Sequence, residues 1–272
     1  MKLDIYQVDA FAEKVFEGNP AAVIPLESWL DETLMLQIAM ENNLSETAFI
    51  VKQTTLLGNS PEGSWHIRWF TPEFEIDLCG HATLASAYVI KNFIEPQATE
   101  IHFSTEKAGN LKATFKDGKY SLDFPARDPV STATPPKLLE AMGIVNAVEV
   151  LRSRDYFIVL PDEAAVLNVA PDFSMLAEIE TVGVIVTAKG KSADVVSRCF
   201  YPSAGIAEDP VTGSAHCNIV PYWAAKLHKT KLNCWQASKR GGMLECSLQN
   251  DRVIMTGKCQ LYLQGTIDIP GV

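Results

Sequence analysis

The chain has 272 residues, of which 47% are hydrophobic and 21% are charged. These fractions are ordinary for a globular protein and exclude fibrous and largely disordered classes. The 23 basic and 33 acidic residues give a net charge of −10, so nucleic-acid binding is not expected, because phosphate backbones would be repelled. No run of 18 apolar residues occurs, and no membrane-spanning segment is expected.

The six cysteines and five histidines lack the spacing of metal or redox motifs. No Cys-x-x-Cys pair and no His-x-x-x-His pair occurs, so we expect no zinc ribbon, no disulfide framework and no metal site. Residues 1–6 alternate like a strand and lack the apolar core of a signal peptide, which predicts a cytoplasmic protein.

Short runs of alternating apolar residues predict that strands dominate the chain. Three segments instead have helical length and composition: 31–43, with Asp31 as its cap, 81–93 and 214–227. The predicted class is therefore mixed α/β. The predicted strands, in chain order, are 3–10, 21–25, 47–51, 65–70, 100–104, 111–115, 119–124, 147–151, 155–160, 181–187, 194–201, 243–248, 252–256 and 259–269.

Proline and small polar residues interrupt this pattern between Pro125 and Pro136 and indicate a linker. The linker divides the chain into two near-equal halves, which predicts one domain over 1–128 and a second over 129–258. A division into equal halves also prompts a search for a repeat.

The two halves do contain a repeat. Residues 68–76 align without gaps on 198–206 and share the pattern Arg-x-Phe-x-Pro-x-x-x-Ile at an offset of 130. Residues 80–82 then match 213–215 at an offset of 133, so we place three extra residues in the following loop of the second half. Chance similarity between two strand–helix transitions is the alternative. A duplication predicts two pseudo-symmetric domains whose glycine-initiated helices point at one shared cleft.

The starts of these two helices are candidate anion sites. A helix start offers unpaired backbone N–H groups and the positive end of the helix dipole. Gly80 and Gly213 let a ligand approach the backbone closely. Two such ends would stabilise a carboxylate or an enolate-like oxygen.

Five sequence motifs occur along essentially the whole chain: Asp9-Ala10-Phe11, Glu17–Val23, Asn43–Phe49, Leu78–Thr83 and Glu208–His216. Together they resemble the phenazine-biosynthesis PhzF-like family. The resemblance implies a fold similar to diaminopimelate epimerase: two related domains, each a curved, mostly antiparallel sheet around a central helix, with the site between them. It also implies a homodimer and the return of residues 259–272 to the first domain.

Three titratable residues are the candidate catalytic groups. A carboxylate at the mouth of a strand, shielded by apolar neighbours, can act as both acid and base, and the resemblance implies that Glu46 moves a proton between carbon atoms. His81, in the first turn of its helix, is expected to be neutral because the dipole disfavours a cation. Asp209 lies in the corresponding loop of the second half. The structural alternatives are a turn glutamate facing water, a buried core histidine and a loop-capping aspartate.

Four further residues are candidate substrate-binding groups. Gly80, Gly213 and Ser214 would supply backbone or hydroxyl donors, and Ser45 a further hydrogen bond. Cys79 is expected to be a buried small residue, because Thr212 stands where a second catalytic thiol would be needed.

The leading hypothesis is a cofactor-independent isomerase that moves a proton between carbons of a small unsaturated or keto/enol carboxylic acid. An amino-acid racemase or epimerase that uses Cys79 is the first alternative. A non-catalytic protein that binds small acids or a protein partner is the second.

Overall fold

A computed structural model describes residues 1–53 and 64–270 of the chain. Contacts divide the chain into two units, Met1–Asp123 with the segment that begins at Thr256, and Phe124–Met255. Within the described ranges, no helix combines the length and the hydropathy needed to cross a membrane.

Strands are the main secondary structure of both units. They are β1 Lys2–Ala10, β2 Asn19–Leu26, β3 Glu46–Lys52, β4 Trp65–Phe70, β5 Glu75–Ile76, β6 Glu100–Ser104, β7 Asn110–Lys116, β8 Lys119–Pro125, β9 Val130–Ser131, β10 Glu149–Arg152, β11 Tyr156–Val159, β12 Val184–Lys189, β13 Val195–Tyr201, β14 Ile206–Asp209, β15 Lys231–Gln236, β16 Gly242–Gln249, β17 Arg252–Gly257 and β18 Cys259–Asp268. The helices are α1 Glu32–Asn42, α2 Gly80–Val89, α3 Leu138–Ala141, α4 Glu163–Leu167, α5 Phe173–Leu176 and α6 Gly213–Leu227.

The sheet of the first unit is mostly antiparallel. β18 pairs with β1 along its length, β1 pairs with β2, and β3 pairs with β4, all antiparallel. β2 and β3 run parallel, with α1 as their connection. Ala22, Ile24 and Leu26 alternate onto the face that packs against Met35 and Ile38 of α1.

Helix α2 is the buried centre of the first unit. All of its ten residues except Tyr88 are buried, so no face of the helix is left for solvent. Small residues such as Ala82, Ala85 and Ala87 let the surrounding strands approach closely. The helix continues into a π-helical turn at Ile90–Ile94, which together with α2 covers the predicted helix 81–93.

The second unit repeats this plan. β11 and β12 run parallel, β12 and β13 antiparallel, and β13 and β15 parallel. Helices α3, α4 and α5 pack on this sheet through Leu138, Val166 and Leu176. Helix α6 corresponds to α2 in the sequence repeat. Ten of its fifteen residues are buried.

Helix α6 contains a proline, Pro221, that removes one backbone donor from the helix interior. The carbonyl of Cys217 would accept that missing bond. It accepts instead from the backbone N–H of Arg127 at 2.8 Å, so the proline leaves no unsatisfied acceptor there.

The three predicted helices and all fourteen predicted strands are confirmed, with end shifts of a few residues. The cap of α1 is also confirmed, since the Asp31 carboxylate accepts from the Thr33 N–H at 2.9 Å. The sequence did not predict the strands β5, β9, β14 and β15 or the short helices α3, α4 and α5.

Candidate active site

The repeat shows the same ion pair in both units. In the first, Arg68 Nε donates to Glu75 at 2.6 Å; in the second, Arg198 Nε donates to Glu208 at 2.7 Å. A second guanidinium nitrogen binds the other carboxylate oxygen in each case, so both pairs are bidentate. Each pair ties a long strand to the short strand that leads to a central helix.

Strand register corrects one detail of the repeat. Trp69 pairs with Ile76 in the first unit, and Cys199 pairs with Asp209 in the second. The three extra residues therefore lie between Pro202 and Glu208, the stretch that holds the 3₁₀ turn Pro202–Ala204, and not in the loop after Ile206 as the gap-free alignment predicted. The counterpart of Ile76 is Asp209.

In the first unit, a buried cluster forms around His81, the second residue of α2. Glu46, the first residue of β3, places Oε2 3.0 Å from His81 Nε2. Asn19, the first residue of β2, places its amide nitrogen 3.1 Å from Nδ1 of the same ring. Cys79 Sγ lies 3.4 Å from Nδ1. The imidazole is therefore held on both ring nitrogens.

Neighbouring groups shift the pKa values of this cluster. Burial lowers the pKa of His81, but the neighbouring Cys79 and Glu46 outweigh burial and raise it well above its usual value. Burial, followed by the Glu46 charge, raises the pKa of Cys79 to about 11, so the thiol is protonated near neutral pH. The His81 shift is opposite in direction to the one expected from the helix dipole, because a carboxylate lies in contact with the ring. The Asn19 amide donates to Nδ1 only where that nitrogen is unprotonated, so a neutral His81 stays a prediction.

The two central helices lack the aspartate cap that three other helices have. Asp31, Asp162 and Asp172 cap α1, α4 and α5 through their side chains. Among the described residues, no side-chain bond of this kind is made by Cys79 at α2, by Thr212 at α6 or by Lys137 at the short helix α3. A helix start without such a cap can offer first-turn N–H groups to a ligand.

In the second unit, a polar network surrounds the start of α6. Asp209, the last residue of β14, is buried and accepts a short hydrogen bond from the Thr212 hydroxyl. Gln236, at the end of β15, accepts from the Thr212 N–H and donates to the Asp209 carbonyl, each at 2.8 Å. Because the Thr212 hydroxyl is committed to Asp209, it does not cap the helix.

The remaining candidate residues have defined positions. Gly80 and Gly213 are the buried first residues of α2 and α6. Ser214 is half-buried, and its hydroxyl lies 3.3 Å from the Arg154 guanidinium. Ser45 is half-buried immediately before β3. The structure therefore brings Glu46 and His81 into contact. The other candidates Asp209, Gly213 and Ser214 belong to the second unit.

Within the described part of the chain, one group of side chains has ligand atoms close enough for a metal ion: those of Glu46, Cys79 and His81 lie within 4.8 Å of one another. Glu46 lies nearest Nε2 of the histidine and Cys79 nearest Nδ1. A single ion would bind only one of these nitrogens. The arrangement fits a hydrogen-bonded cluster better than a metal centre.

Comparison with known proteins identifies the family. The profile described as phenazine biosynthesis-like protein matches residues 8–265. The chain belongs to this PhzC/PhzF family. An uncharacterized isomerase of Pseudomonas aeruginosa is 47% identical over 99% of this chain and 100% of its own length. A PhzF family crystal structure from Enterococcus faecalis is 48% identical, covers 99% of this chain and 100% of that one, and has a TM-score of 0.92.

The PhzF family shares its fold with epimerases. A hydroxyproline epimerase from Agrobacterium vitis, with bound trans-4-hydroxy-L-proline, aligns with a TM-score of 0.61 at 12% identity and covers 99% of this chain and 94% of its own. That likeness concerns the fold alone. The predicted resemblance to the PhzF-like family and the predicted epimerase-like α/β fold are both confirmed.

Sequence reasoning missed two polar residues of this PhzF-type site. Asn19 was noted only within the Gly18-Asn19-Pro20 motif, although an amide after a glycine at φ +65° is well placed to face a ligand or another side chain. Gln236 is wholly buried, and its partners Asp209 and Thr212 lie more than twenty residues away in the chain. No local pattern marks such a residue.

Proposed function

We propose that this chain is an isomerase that moves a proton between two carbons of a small carboxylic acid, with Glu46 as the acid and base. The observation that carries the proposal is the buried contact of 3.0 Å between Glu46 and His81, beside the uncapped start of α2. Three relatives that are 47, 45 and 43% identical to this chain are themselves called isomerases, which supports the reaction class.

In the proposed reaction Glu46 acts as the base while the neighbouring His81 holds its carboxylate in place. Glu46 takes a proton from a carbon next to a carbonyl or a double bond, so the C–H bond breaks and its electron pair enters the conjugated system. Glu46 then returns the proton to another carbon of that system. Substrate atoms and electrons are conserved, and the proposal requires no cofactor.

Backbone donors would stabilise the intermediate. The negative charge that develops on a substrate oxygen would accept hydrogen bonds from the open first-turn amides at Gly80 and His81. Buried donors that are already oriented stabilise such a charge more strongly than water does, because they need not reorganise. This is the physical reason to expect an acidic or enolate-forming substrate.

The second unit is proposed to bind and orient the substrate. Asp209 is positioned by Thr212 and Gln236, and Gly213 and Ser214 offer donors at the start of α6. That these groups act on the same molecule as Glu46 remains a prediction from the repeat. Asp209 would orient a substrate hydroxyl or amine, because a carboxylate accepts hydrogen bonds.

A racemase that uses Cys79 is disfavoured. Inversion by two bases needs a second group on the opposite face of the carbon, and Thr212 occupies the position equivalent to Cys79. Burial also raises the pKa of the Cys79 thiol to about 11, so the thiolate that would act as base is scarce near neutral pH.

The proposal is tested by solvent exchange. The protein is incubated in D₂O with a small-molecule cell extract, and deuterium uptake is followed by mass spectrometry and NMR. We expect uptake at a carbon of at least one carboxylic acid with the wild type, and its loss with Glu46→Gln. Glu41→Gln is the matched control, because Glu41 is exposed at the end of α1.

The outcomes separate the candidate functions. Uptake that persists in Glu46→Gln would contradict the assigned base. Uptake lost in Cys79→Ala but kept in Glu46→Gln would favour the racemase. An acid that binds without any uptake would favour a binding protein.

A further inference from the structure

A groove on the second unit lies outside the candidate active site. It is bounded by the last two turns of α6, by the turn that joins β16 to β17 and by the segment that follows β8. Its volume is about 590 Å³, which is large enough for a small metabolite. The described lining residues all belong to the second unit, and none of them is a candidate catalytic or substrate-binding residue. The groove is therefore a second candidate for a binding site.

The groove exists because one face of α6 carries small side chains. Pro221, Ala224, Ala225 and His228 stand at positions i, i+3, i+4 and i+7, which lie on the same side of a helix. Three of these four residues are proline or alanine, whose short side chains leave space between the helix and the other walls. Leu248 adds a further apolar side chain to the lining. The groove therefore offers an apolar surface along α6.

Backbone hydrogen bonds fix the walls of the groove. The Ala126 N–H donates to the Asp251 carbonyl, and the Leu248 N–H donates to the Thr230 carbonyl, both at 2.8 Å. These bonds join the segment after β8 to the β16–β17 turn, and the end of β16 to the loop that follows α6. A ligand therefore meets a groove whose shape is already formed, which lowers the entropy cost of binding.

Pro221 contributes to one of these walls through its missing N–H. Because the proline cannot donate to the Cys217 carbonyl, that carbonyl accepts from the Arg127 N–H at 2.8 Å. This bond holds the segment after β8 against α6. The proline inside the helix thus helps to form the groove.

The groove is negatively charged. The carboxylates of Asp128 and Asp251 lie in its lining, and the C-terminal end of α6 adds the negative end of a helix dipole. The lining also contains Lys229, whose ammonium is bound by Asp194 outside the lining, and the exposed imidazole of His228. No ion pair among the described residues includes Asp128 or Asp251. Both carboxylates are thus available to a cation from solution.

We propose that this groove binds a small organic ammonium compound, with its charged head at Asp128 and Asp251 and its apolar body against Pro221, Ala225 and Leu248. An ammonium head donates charge-assisted hydrogen bonds, which carboxylates accept. An alcohol of the same shape lacks that charge, and a bare metal ion would leave the apolar surface unused. The proposal does not depend on the reaction proposed for Glu46, because the groove shares no residue with that site.

The test compares amines with alcohols of the same shape. Dissociation constants of phenethylamine, tryptamine and hexylamine, and of 2-phenylethanol, tryptophol and hexanol, are measured for the wild type by NMR titration at pH 8. We expect at least one amine to bind saturably and about 10-fold more tightly than its alcohol. Equal affinity of every amine and its alcohol would overturn the proposal, and so would a lack of saturable binding by all three amines.

Substitution of the carboxylates tests where the amine binds. Asp128→Asn and Asp251→Asn should each weaken the amine about 2- to 5-fold, the range for ion pairs that are open to solvent, and the double variant should weaken it further. Glu180→Gln is the matched control and should stay within about twofold, because Glu180 is an exposed acid of the same unit outside the groove. Unchanged affinity in the double variant, or an equal loss in Glu180→Gln, would indicate general attraction to an acidic surface and would overturn the proposal.

A variant that fills the groove gives an independent readout. Ala225→Trp places an indole ring in the groove and should abolish binding of the amine, and the exposed position of Ala225 leaves the core intact. Ala177→Trp, at the exposed end of α5, is the control and should bind like the wild type. Binding by Ala225→Trp equal to that of the wild type would overturn the proposal. Glu46→Gln should also bind the amine normally; loss of binding there would place the amine at the active site instead.

Discussion

His81 Nε2 lies 3.0 Å from Glu46 Oε2, and both side chains are buried in the first unit. The folded state therefore binds a proton on His81 more tightly than the unfolded chain does, whose histidine titrates near its usual pKa of about 6.5. The resulting stabilisation is complete below that pH and is lost as the pH rises through the higher folded-state pKa.

We accordingly predict that the stability advantage of the wild type over His81→Gln shrinks as the pH rises above about 6.5. The measurement is the free energy of unfolding of both proteins in urea between pH 6 and 9. His102→Gln is the control, because His102 is exposed to solvent in part and pairs with Glu100 at the surface. Parallel curves for the wild type and His81→Gln would contradict the raised pKa of His81.

Cys79 should be unreactive in the native protein. Its thiol is buried, and its pKa is raised to about 11, so little thiolate exists at pH 7.5. We expect iodoacetamide to leave Cys79 unmodified in the native state and to modify it in urea, as peptide mass spectrometry would show. Cys217, with a pKa also raised to about 11, is the internal reference. Selective native-state labelling of Cys79 would revive the thiol-based alternative.

Gly18 should tolerate substitution worse than Gly109, although both have positive φ, +65° and +74°. A Cβ on Gly18 would overlap the Ala10 carbonyl oxygen, whereas no described atom lies within 4 Å of one on Gly109. Gly109→Ala should cost about 1 kcal/mol from backbone strain alone. Gly18→Ala should cost more and reduce activity, because Asn19 would move away from His81. Equal unfolding free energies in urea would show that the loop adjusts freely.

The repeated arginine pairs should stabilise both units. Arg198 and Glu208 are mostly buried, with side-chain exposures of 14% and 22%. A double-mutant cycle of Arg198→Met and Glu208→Gln should give a coupling energy of about 1–3 kcal/mol in chemical denaturation. The cycle of Arg68→Met and Glu75→Gln serves as the symmetric comparison. A coupling below about 0.5 kcal/mol would class the pair with ordinary surface ion pairs.

Sequence patterns predicted the elements whose signals are local. Alternating runs marked long strands such as β1 and β13, and the Asp31 cap marked α1. β15 was missed because only Leu232 and Cys234 carry its apolar alternation, and its inward face then ends in Gln236, a polar residue that is hydrogen-bonded to Asp209 and Thr212. Two apolar residues are too short a run to mark a strand.

The candidate site, too, could be predicted from local sequence only in part. Glu46 and His81 could be proposed as a pair from the family resemblance, but their contact and the raised pKa of His81 depend on β3 and α2 packing together. The helix dipole, a local property, predicts a shift of that pKa in the opposite direction.

The pairing of β18 with β1, from Lys2 opposite Asp268 to Ala10 opposite Cys259, has a consequence for biosynthesis. The ribosome synthesises β1 first and β18 last. The edge of β1 that pairs with β18 therefore stays unpaired until nearly all of the chain has been made. The second unit is contiguous and can close its own sheet earlier. A released chain that ends before Cys259 should therefore carry a finished second unit and a protease-sensitive first one.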